Sequence, residues 1–86
     1  YMVAGTGTNY FMFESDSYVA GEYDTIASFT SANNFAGIAS AYAGAMSTGQ
    51  YGTTAGLHFA LGGGPYYSIY FYDTAVADVT SHVFYI

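Results

Sequence analysis

The sequence predicts an all-β fold: a small antiparallel β domain, sandwich- or barrel-like, built from two similar β units whose strands pair between subunits. Three observations lead to this fold class. Several runs are rich in tyrosine, phenylalanine and β-branched residues, which favour strands. Glycine, proline and serine-aspartate turns separate these runs, and the two halves of the chain resemble each other. With 86 residues, the chain forms one domain, 1–86.

An internal repeat divides this domain into residues 5–31 and 52–81, joined by the linking segment 32–51. GTGTNYFMF in the first unit resembles GTTAGLHFAL in the second. YDTIASFTS from Tyr23 likewise resembles YDTAVADVTS from Tyr72. Repetition at this spacing predicts two similar β units within the domain.

The first unit is predicted to consist of two strands and a turn. Residues 9–14 are aromatic and β-favouring, and the serine-aspartate-serine run at 15–17 is typical of a turn. Residues 18–29 can continue as a second strand, which Gly21 weakens. If the two strands form a hairpin, the acids at their ends approach one another.

The second unit contains the strongest strand signal of the chain. Residues 57–61 are strand-like, and the GGGP run at 62–65 ends this strand. Residues 66–72 are almost entirely aromatic or β-branched. Residues 76–86 are expected to form a last strand, because their valines, Phe84 and Ile86 favour extended backbone.

Residues 32–46 are compatible with one short helix or with a closely packed strand rich in glycine and alanine. Apolar residues recur near a period of 3.6, namely Phe35, Ile38, Tyr42 and Met46. Gly37 and Gly44 oppose a helix, since each costs ~1 kcal/mol relative to alanine. The sequence leaves both alternatives open.

The charge of the chain excludes two classes of partner. The chain has no lysine or arginine and a net charge of −6. Nucleic acids and anionic membrane surfaces are both bound through basic side chains, so neither is expected as a partner. Trypsin-like proteases would find no cleavage site. We therefore expect a secreted protein, located outside the cell or on its surface.

The apolar content exceeds what one small core can hold. Hydrophobic residues make up 52% of the chain and aromatic residues 21%, and cysteine is absent. A domain of this size leaves roughly 35–40% of its unfolded surface exposed. Without disulfides, oligomerisation is a standard source of stability. Part of the apolar surface is therefore expected to be buried between subunits.

The strand at 66–72 shows how that surface is divided. Alternate residues of a strand face opposite sides, so Ile69 and Phe71 are expected in the core. Tyr66, Tyr70 and Tyr72 then form the other face. Phenol rings suit a surface that is buried against a partner yet can form hydrogen bonds at its edge.

We therefore expect a structural subunit of an extracellular self-assembling polymer, such as a filament, fibre or sheath. Identical subunits would form a homopolymer through β-strand pairing and tyrosine-rich interfaces. Unpaired strand edges are templates for such pairing, and the apolar chain ends are suited to strand donation. The expected interface residues are Met2, Val3, Tyr10, Tyr66, Tyr70, Tyr72, Val83, Phe84 and Ile86.

The sequence gives less support to two other classes of function. A secreted all-β adhesin or carbohydrate-binding module would stack its tyrosines on sugar rings, with glycans as ligands and Asn9, Asn33 or Asn34 holding hydroxyls. An enzyme is not expected. His58 and His82 are the only general bases near neutral pH, and the sequence has no nucleophile elbow, zinc-protease motif or phosphate-binding lysine.

The acidic residues allow two interpretations. Four carboxylates would approach one another in a hairpin of residues 9–14 and 18–25, namely Glu14, Asp16, Glu22 and Asp24. Oxygen ligands of this kind suit calcium, which is the one candidate metal; no other cofactor is expected. Alternatively, the acids form a solvated rim that keeps free subunits apart.

Overall fold

The computed structural model describes residues 1–29 and 33–86. Residues 30–32, which end the first proposed repeat unit and begin the linking segment, lie outside the described residues. The strands are β1 (Met2–Val3), β2 (Asn9–Phe13), β3 (Tyr23–Ala27), β4 (Asn34–Ile38), β5 (Met46–Tyr51), β6 (Thr54–Phe59), β7 (Tyr67–Phe71) and β8 (Val83–Tyr85). The helices are the α-helix α1 (Val76–Thr80) and the 3-10 helices η1 (Ser15–Ser17) and η2 (Ser40–Ala45).

The strands form two sheets. The larger sheet has the order β1-β3-β7-β6-β5, in which β1, β3 and β7 are parallel while β6 runs antiparallel to β7 and β5. The smaller sheet has the order β2-β4-β8 and is wholly parallel. The chain is therefore mostly β, with two sheets that share one core.

The predicted antiparallel pairing was wrong for most of the molecule, since four of the six strand pairs in the described residues are parallel. The reason lies in the chain path. From β1 to β4, consecutive strands alternate between the two sheets. Each strand therefore meets its neighbour in the sheet only after a crossover through the other layer, and such a crossover returns the chain in the same direction.

Two local predictions also need correction. The hairpin of residues 9–14 and 18–25 does not form, because β2 and β3 lie in different sheets. The predicted last strand at 76–86 is a helix over Val76–Thr80 followed by a strand over Val83–Tyr85. Val79 is fully buried and Val76 packs against the core. A spacing of three residues places both side chains on the same side of one helical turn.

The described part of the linking segment contains three elements. Asn34–Ile38 is the strand β4, as the alternative rich in glycine and alanine predicts, Ser40–Ala45 is a 3-10 helix and Met46–Tyr51 is the strand β5. Glycine is needed at position 37 because neighbouring side chains leave no room for a Cβ atom. A Cβ atom built on Gly37 would lie 2.9 Å from Met12 Sδ and 2.9 Å from the Phe84 ring, so glycine lets these side chains pack closely on the sheet.

The core lies between the two sheets. The larger sheet contributes Ile26, Leu57, Phe59, Tyr67, Ile69 and Phe71, and the smaller sheet contributes Phe13, Ala36 and Ile38. Burial of each large apolar side chain contributes roughly 1.5–3 kcal/mol. The predicted inward positions of Ile69 and Phe71 are confirmed. Since this core separates the sheets, their outer faces point away from each other.

A buried tyrosine joins the two layers at one end of this core. Tyr18 Oη donates a hydrogen bond to the Phe13 carbonyl oxygen (2.9 Å) and accepts one from the Ala39 amide (3.0 Å). Its ring stacks on that of Tyr42 with centroids 4.3 Å apart. Burial raises the pKa of Tyr18 above its ordinary value. The contacts hold the end of β2 against the residue that precedes η2.

The helices that the structure describes are short. Within residues 1–29 and 33–86, none has the length and apolar character needed to cross a membrane.

Candidate functional site

The outer face of the larger sheet carries a continuous group of aromatic rings. We call this group the tyrosine face; it consists of Tyr23, Tyr51, His58, Tyr66 and Tyr70. The ring centroid of Tyr70 lies 5.9 Å from that of Tyr23, 5.8 Å from that of His58 and 6.3 Å from that of Tyr51. All three contacts are edge-to-face, the arrangement that aromatic quadrupoles favour. Tyr70 is therefore the centre of the face.

A line of hydrogen bonds fixes His58 within the tyrosine face. His58 Nδ1 lies 2.7 Å from Ser68 Oγ, and His58 Nε2 lies 2.7 Å from Tyr51 Oη. A serine beside a histidine resembles part of a hydrolytic site. However, Ser68 is buried at the centre of the sheet, and a phenol holds the second ring nitrogen where a triad has a carboxylate. The arrangement orients the imidazole ring.

Two glycines allow the Tyr51 ring to lie across the sheet. A Cβ atom on Gly49 would stand 2.5 Å from Tyr51 Oη, and one on Gly56 would stand 2.9 Å from Tyr51 Cε2. Gly49 and Gly56 are direct partners in the β5–β6 ladder. The glycine pair therefore leaves the space in which the Tyr51 ring reaches His58.

The outer face of the smaller sheet carries a second aromatic group. We call it the phenylalanine face; it consists of Tyr10, Met12, Phe35, His82 and Phe84. Tyr10 stacks on Phe35 at 5.4 Å and meets Phe84 edge-on at 6.2 Å. His82 lies 5.3 Å from Phe35, and Gly37 leaves room for Met12 and Phe84. The molecule thus has an aromatic face on each of two opposite sides.

Neither face contains an acidic side chain. Five acids lie outside the strands, in the loops, η1 and α1, namely Glu14, Asp16, Glu22, Asp73 and Asp78. The sixth, Asp24, belongs to β3 and points towards the core side, where its Oδ2 accepts a hydrogen bond from Tyr67 Oη at 2.5 Å. No acid is therefore a member of either face.

The predicted calcium cluster does not form. In one of the two interpretations of the acids, Glu14, Asp16, Glu22 and Asp24 approach one another in a hairpin that the structure lacks. Within the described parts of the chain, no group of three or more histidine, cysteine or acidic side chains is placed to hold a metal ion. Of these four acids, Glu14, Asp16 and Glu22 are exposed, and Asp24 is hydrogen-bonded to Tyr67.

The tyrosines that the sequence predicted at the interface lie on both sides of the molecule. Tyr66 and Tyr70 belong to the tyrosine face, whereas Tyr10 belongs to the phenylalanine face together with Phe84. Tyr72 follows β7 and is exposed. The predicted interface tyrosines therefore belong to two separate surfaces.

The remaining predicted interface residues lie in the terminal strands or directly after them. Met2 and Val3 form β1, at the edge of the larger sheet beside β3. Val83 pairs with Ala36 and packs against the core. Ile86 donates its amide hydrogen to the Ile38 carbonyl oxygen at 2.8 Å. Each terminal strand is thus paired within its own chain.

Several members of the two faces were missed by the sequence reasoning. Tyr51 lies in a segment for which the sequence predicts no strand. Phe35 lies in the segment that is compatible with a short helix. Period-two alternation could have found both. In Phe35-Ala36-Gly37-Ile38 and Gly49-Gln50-Tyr51, the aromatic residue shares its face with a glycine.

Comparison of the chain with protein-family models, with curated proteins and with solved structures returned no match. The molecule is therefore characterised by its fold and its two faces alone. It is a small two-sheet β domain with two opposed aromatic faces that contain no acidic side chain.

Proposed function

We propose that this protein is a structural subunit of an extracellular self-assembling polymer of identical copies, such as a filament, fibre or sheath. The observation that carries the proposal is the presence of two aromatic faces without acidic side chains on opposite sides of one small domain. A single such face would support a closed dimer. Two opposed faces allow every copy to contact two neighbours, which is the requirement for an open chain.

Electrostatics supports identical copies as the partners. The chain has a net charge of −6 and no lysine or arginine, so two copies repel each other wherever their acids meet. The tyrosine and phenylalanine faces are surfaces on which two copies can meet without burying like charges. A basic partner would instead bind the acidic rim.

The edge strands support additional contacts between copies. β5 is a six-residue edge strand of the larger sheet, with the sequence MSTGQY. It contains no lysine, no other charged residue and no proline, which are the usual protections of an exposed edge. Strand pairing between copies is therefore the second contact of the proposed polymer, beside the aromatic faces.

The alternative function, a carbohydrate-binding module, receives less support from the asparagines assigned to it. Asn34 is buried. The Asn9 side-chain amide donates to the carbonyl oxygens of Gly5 and Gly7, at 3.0 and 3.3 Å. Asn33 is exposed at the start of β4. Two of the three proposed sugar-holding amides thus serve the fold.

The assembly state of the wild-type protein and of Tyr70→Ser tests the proposal. The wild-type protein should form ordered polymers in negative-stain micrographs and sediment as large species. Tyr70→Ser should remain folded but give no polymers, because the substitution removes the ring at the centre of the tyrosine face. Tyr85→Ser is the control, since Tyr85 is an exposed tyrosine that belongs to neither face and lies on the side of β8 opposite to Phe84.

The control should assemble like the wild-type protein. A wild-type protein that stays monomeric and binds saccharides would favour the carbohydrate-binding module. If Tyr70→Ser assembles normally, the tyrosine face has no part in the polymer.

Assembly should also strengthen as the pH falls from 7 towards 4. Aspartate and glutamate side chains take up protons near pH 4, so the repulsion between acidic rims weakens. The concentration at which light scattering begins should fall over this range. In the double variant Glu14→Gln, Asp16→Asn the fall should be smaller, since two charges of the rim are already absent. Equal pH responses in both proteins would contradict the role of the rim.

A further inference from the structure

The side chains of this protein that most readily lose one electron are its tyrosines. Cysteine and tryptophan, the usual competitors for one-electron oxidants, are absent, whereas tyrosine occurs 11 times. A phenol loses its electron together with its proton, so it is oxidised most easily where a base is placed to take that proton. The exposure and the hydrogen bonds of each phenol therefore decide which tyrosine reacts first.

Tyr51 combines an exposed ring with a base at its hydroxyl group. Its side chain is 54% exposed, and its Oη lies 2.7 Å from His58 Nε2, a distance that allows direct proton transfer. A phenol is a stronger acid than the Ser68 hydroxyl at the other ring nitrogen. Tyr51 Oη therefore donates to Nε2, while His58 Nδ1–H donates to Ser68 Oγ. Of the tyrosines in the described part of the chain, Tyr51 is the one whose hydroxyl is hydrogen-bonded to a histidine.

Gly56 lets the reactive edge of the Tyr51 ring extend towards Tyr70. A tyrosyl radical carries much of its unpaired spin on the two ring carbons beside the C–O bond, Cε1 and Cε2. Tyr51 Cε2 lies 2.9 Å from the place that a Cβ atom on Gly56 would take, and Gly56 is the direct partner of Tyr70 in the β6–β7 ladder. The two ring centroids are 6.3 Å apart. A spin-bearing carbon of Tyr51 therefore lies over β6, beside the strand that carries Tyr70.

We propose that Tyr51 is a redox-active tyrosine whose proton passes to His58, and that its oxidation joins it to Tyr70 in an intrachain dityrosine bond. The oxidant is hydrogen peroxide acting through a peroxidase; it accepts two electrons and two protons and is reduced to two molecules of water. Tyr51 loses one electron to the oxidant and its phenol proton to His58 Nε2. Tyr70 loses one electron to the oxidant and its phenol proton to the solvent.

The bond then forms between Cε2 of Tyr51 and a Cε carbon of Tyr70. The hydrogen on each of these carbons leaves as a proton and each ring oxygen takes one up, which restores two phenols. His58 returns its proton to the solvent, so each ring has lost one hydrogen atom in total. Because both phenols belong to one folded chain, coupling within the chain is favoured over coupling between copies. The step is therefore independent of the proposed polymer, and its product ties the edge strand β5 to β7 across β6.

Peptide mapping of the oxidised protein tests the site. Dilute protein, below the concentration at which light scattering begins, is treated with a peroxidase and limiting hydrogen peroxide, then digested with a protease that cleaves after aromatic residues and leucine. The monomer should lose the mass of two hydrogen atoms, gain dityrosine fluorescence and yield one cross-linked peptide pair that contains Tyr51 and Tyr70. Tyr51→Phe and Tyr70→Phe should each lose this product, although both keep the ring. Tyr85→Phe is the matched control, because Tyr85 is 52% exposed, and it should leave the product unchanged.

His58→Gln tests the proton acceptor, since glutamine can form a hydrogen bond with Tyr51 but is not a base. The initial rate of dityrosine formation should fall at least about tenfold, because a positioned base contributes that much or more to proton transfer. Circular dichroism checks the fold, and His58→Asn repeats the measurement if His58→Gln is not folded.

Three results would overturn the proposal. Cross-links between chains, or between other tyrosines of one chain, would show that Tyr51 and Tyr70 are not the preferred pair. A wild-type protein that forms no dityrosine would exclude the reaction itself. An unchanged rate in the folded His58 variant would mean that the imidazole does not take the proton of Tyr51.

Discussion

Phe71→Ala should unfold the protein at room temperature or leave it marginally stable. Phe71 lies in β7 with β3 and β6 on either side, and it has no exposed surface. Its ring meets that of Phe29 edge-on, with centroids 4.9 Å apart. Truncating such a residue costs roughly 3–5 kcal/mol. The typical stability per residue predicts a total of roughly 4–13 kcal/mol for a chain of this length, so the substitution removes a large part of it.

The free energy of unfolding from urea titration measures this loss. Ile69→Val is the matched control, because Ile69 is equally buried in the same strand and loses one methyl group at a cost of roughly 0.5–1.5 kcal/mol. Tyr70→Ser should change the free energy less than Phe71→Ala, since Tyr70 points out of the sheet. Equal losses for Phe71→Ala and Tyr70→Ser would mean that the two faces of β7 are not distinct.

The strand β7 shows what the sequence alone is able to predict. A glycine-proline turn precedes it, and its side chains alternate without interruption from Tyr67 to Phe71. Both signals are local, so the position of the strand and its inward residues could be predicted. The same local reasoning correctly placed Tyr66 and Tyr70 on the outer side of the sheet.

The pairing of the strands depends on information that is not local. β2 and β3 are neighbours in sequence and are separated by a turn-like segment, which favours a hairpin. The structure places them in different sheets, and both bury residues in the shared core, Phe13 from β2 and Ile26 from β3. Which layer each strand joins is decided by packing across the whole domain, and no residue in the turn signals it.

The aromatic faces could be predicted only in part for a related reason. Gly49 and Gly56 weaken the strand signal of their segments, yet they are what allows Tyr51 to lie against His58. Similarly, Val76 and Val79 favour extended backbone in isolation, but tertiary packing of both valines stabilises a helical turn. In each case a packing contact in the folded domain outweighs the local preference.

The second large effect is the loss of folding stability at alkaline pH. Tyr67 is buried between the sheets and donates a hydrogen bond to Asp24 Oδ2. Burial, together with this bond to a carboxylate, raises the pKa of Tyr67 far above its ordinary value. Above about pH 10 the unfolded chain ionises this tyrosine while the folded chain keeps it protonated.

The folded state then binds more protons than the unfolded state, so the free energy of unfolding must fall as the pH rises. The contribution of Tyr67 is fully present below about pH 10, and each such tyrosine removes about 1.4 kcal/mol per pH unit above it. Tyr18, whose pKa is also raised by burial, adds a second loss of the same sign. Urea titrations from pH 8 to about pH 11.5 should therefore show a steep decline, with phenolate absorbance of the buried rings appearing only on unfolding.

Tyr67→Phe separates this effect from the general repulsion of ionised surface tyrosines. The variant should start from a lower stability at pH 8, because Asp24 loses its hydrogen-bond donor, but its decline above pH 10 should be shallower by about 1.4 kcal/mol per pH unit. Tyr66→Phe, in the adjacent exposed position, should decline almost as steeply as the wild-type protein. If Tyr67→Phe and the wild-type protein decline in parallel, Tyr67 does not keep its proton in the folded state, and the hydrogen bond to Asp24 does not govern alkaline stability.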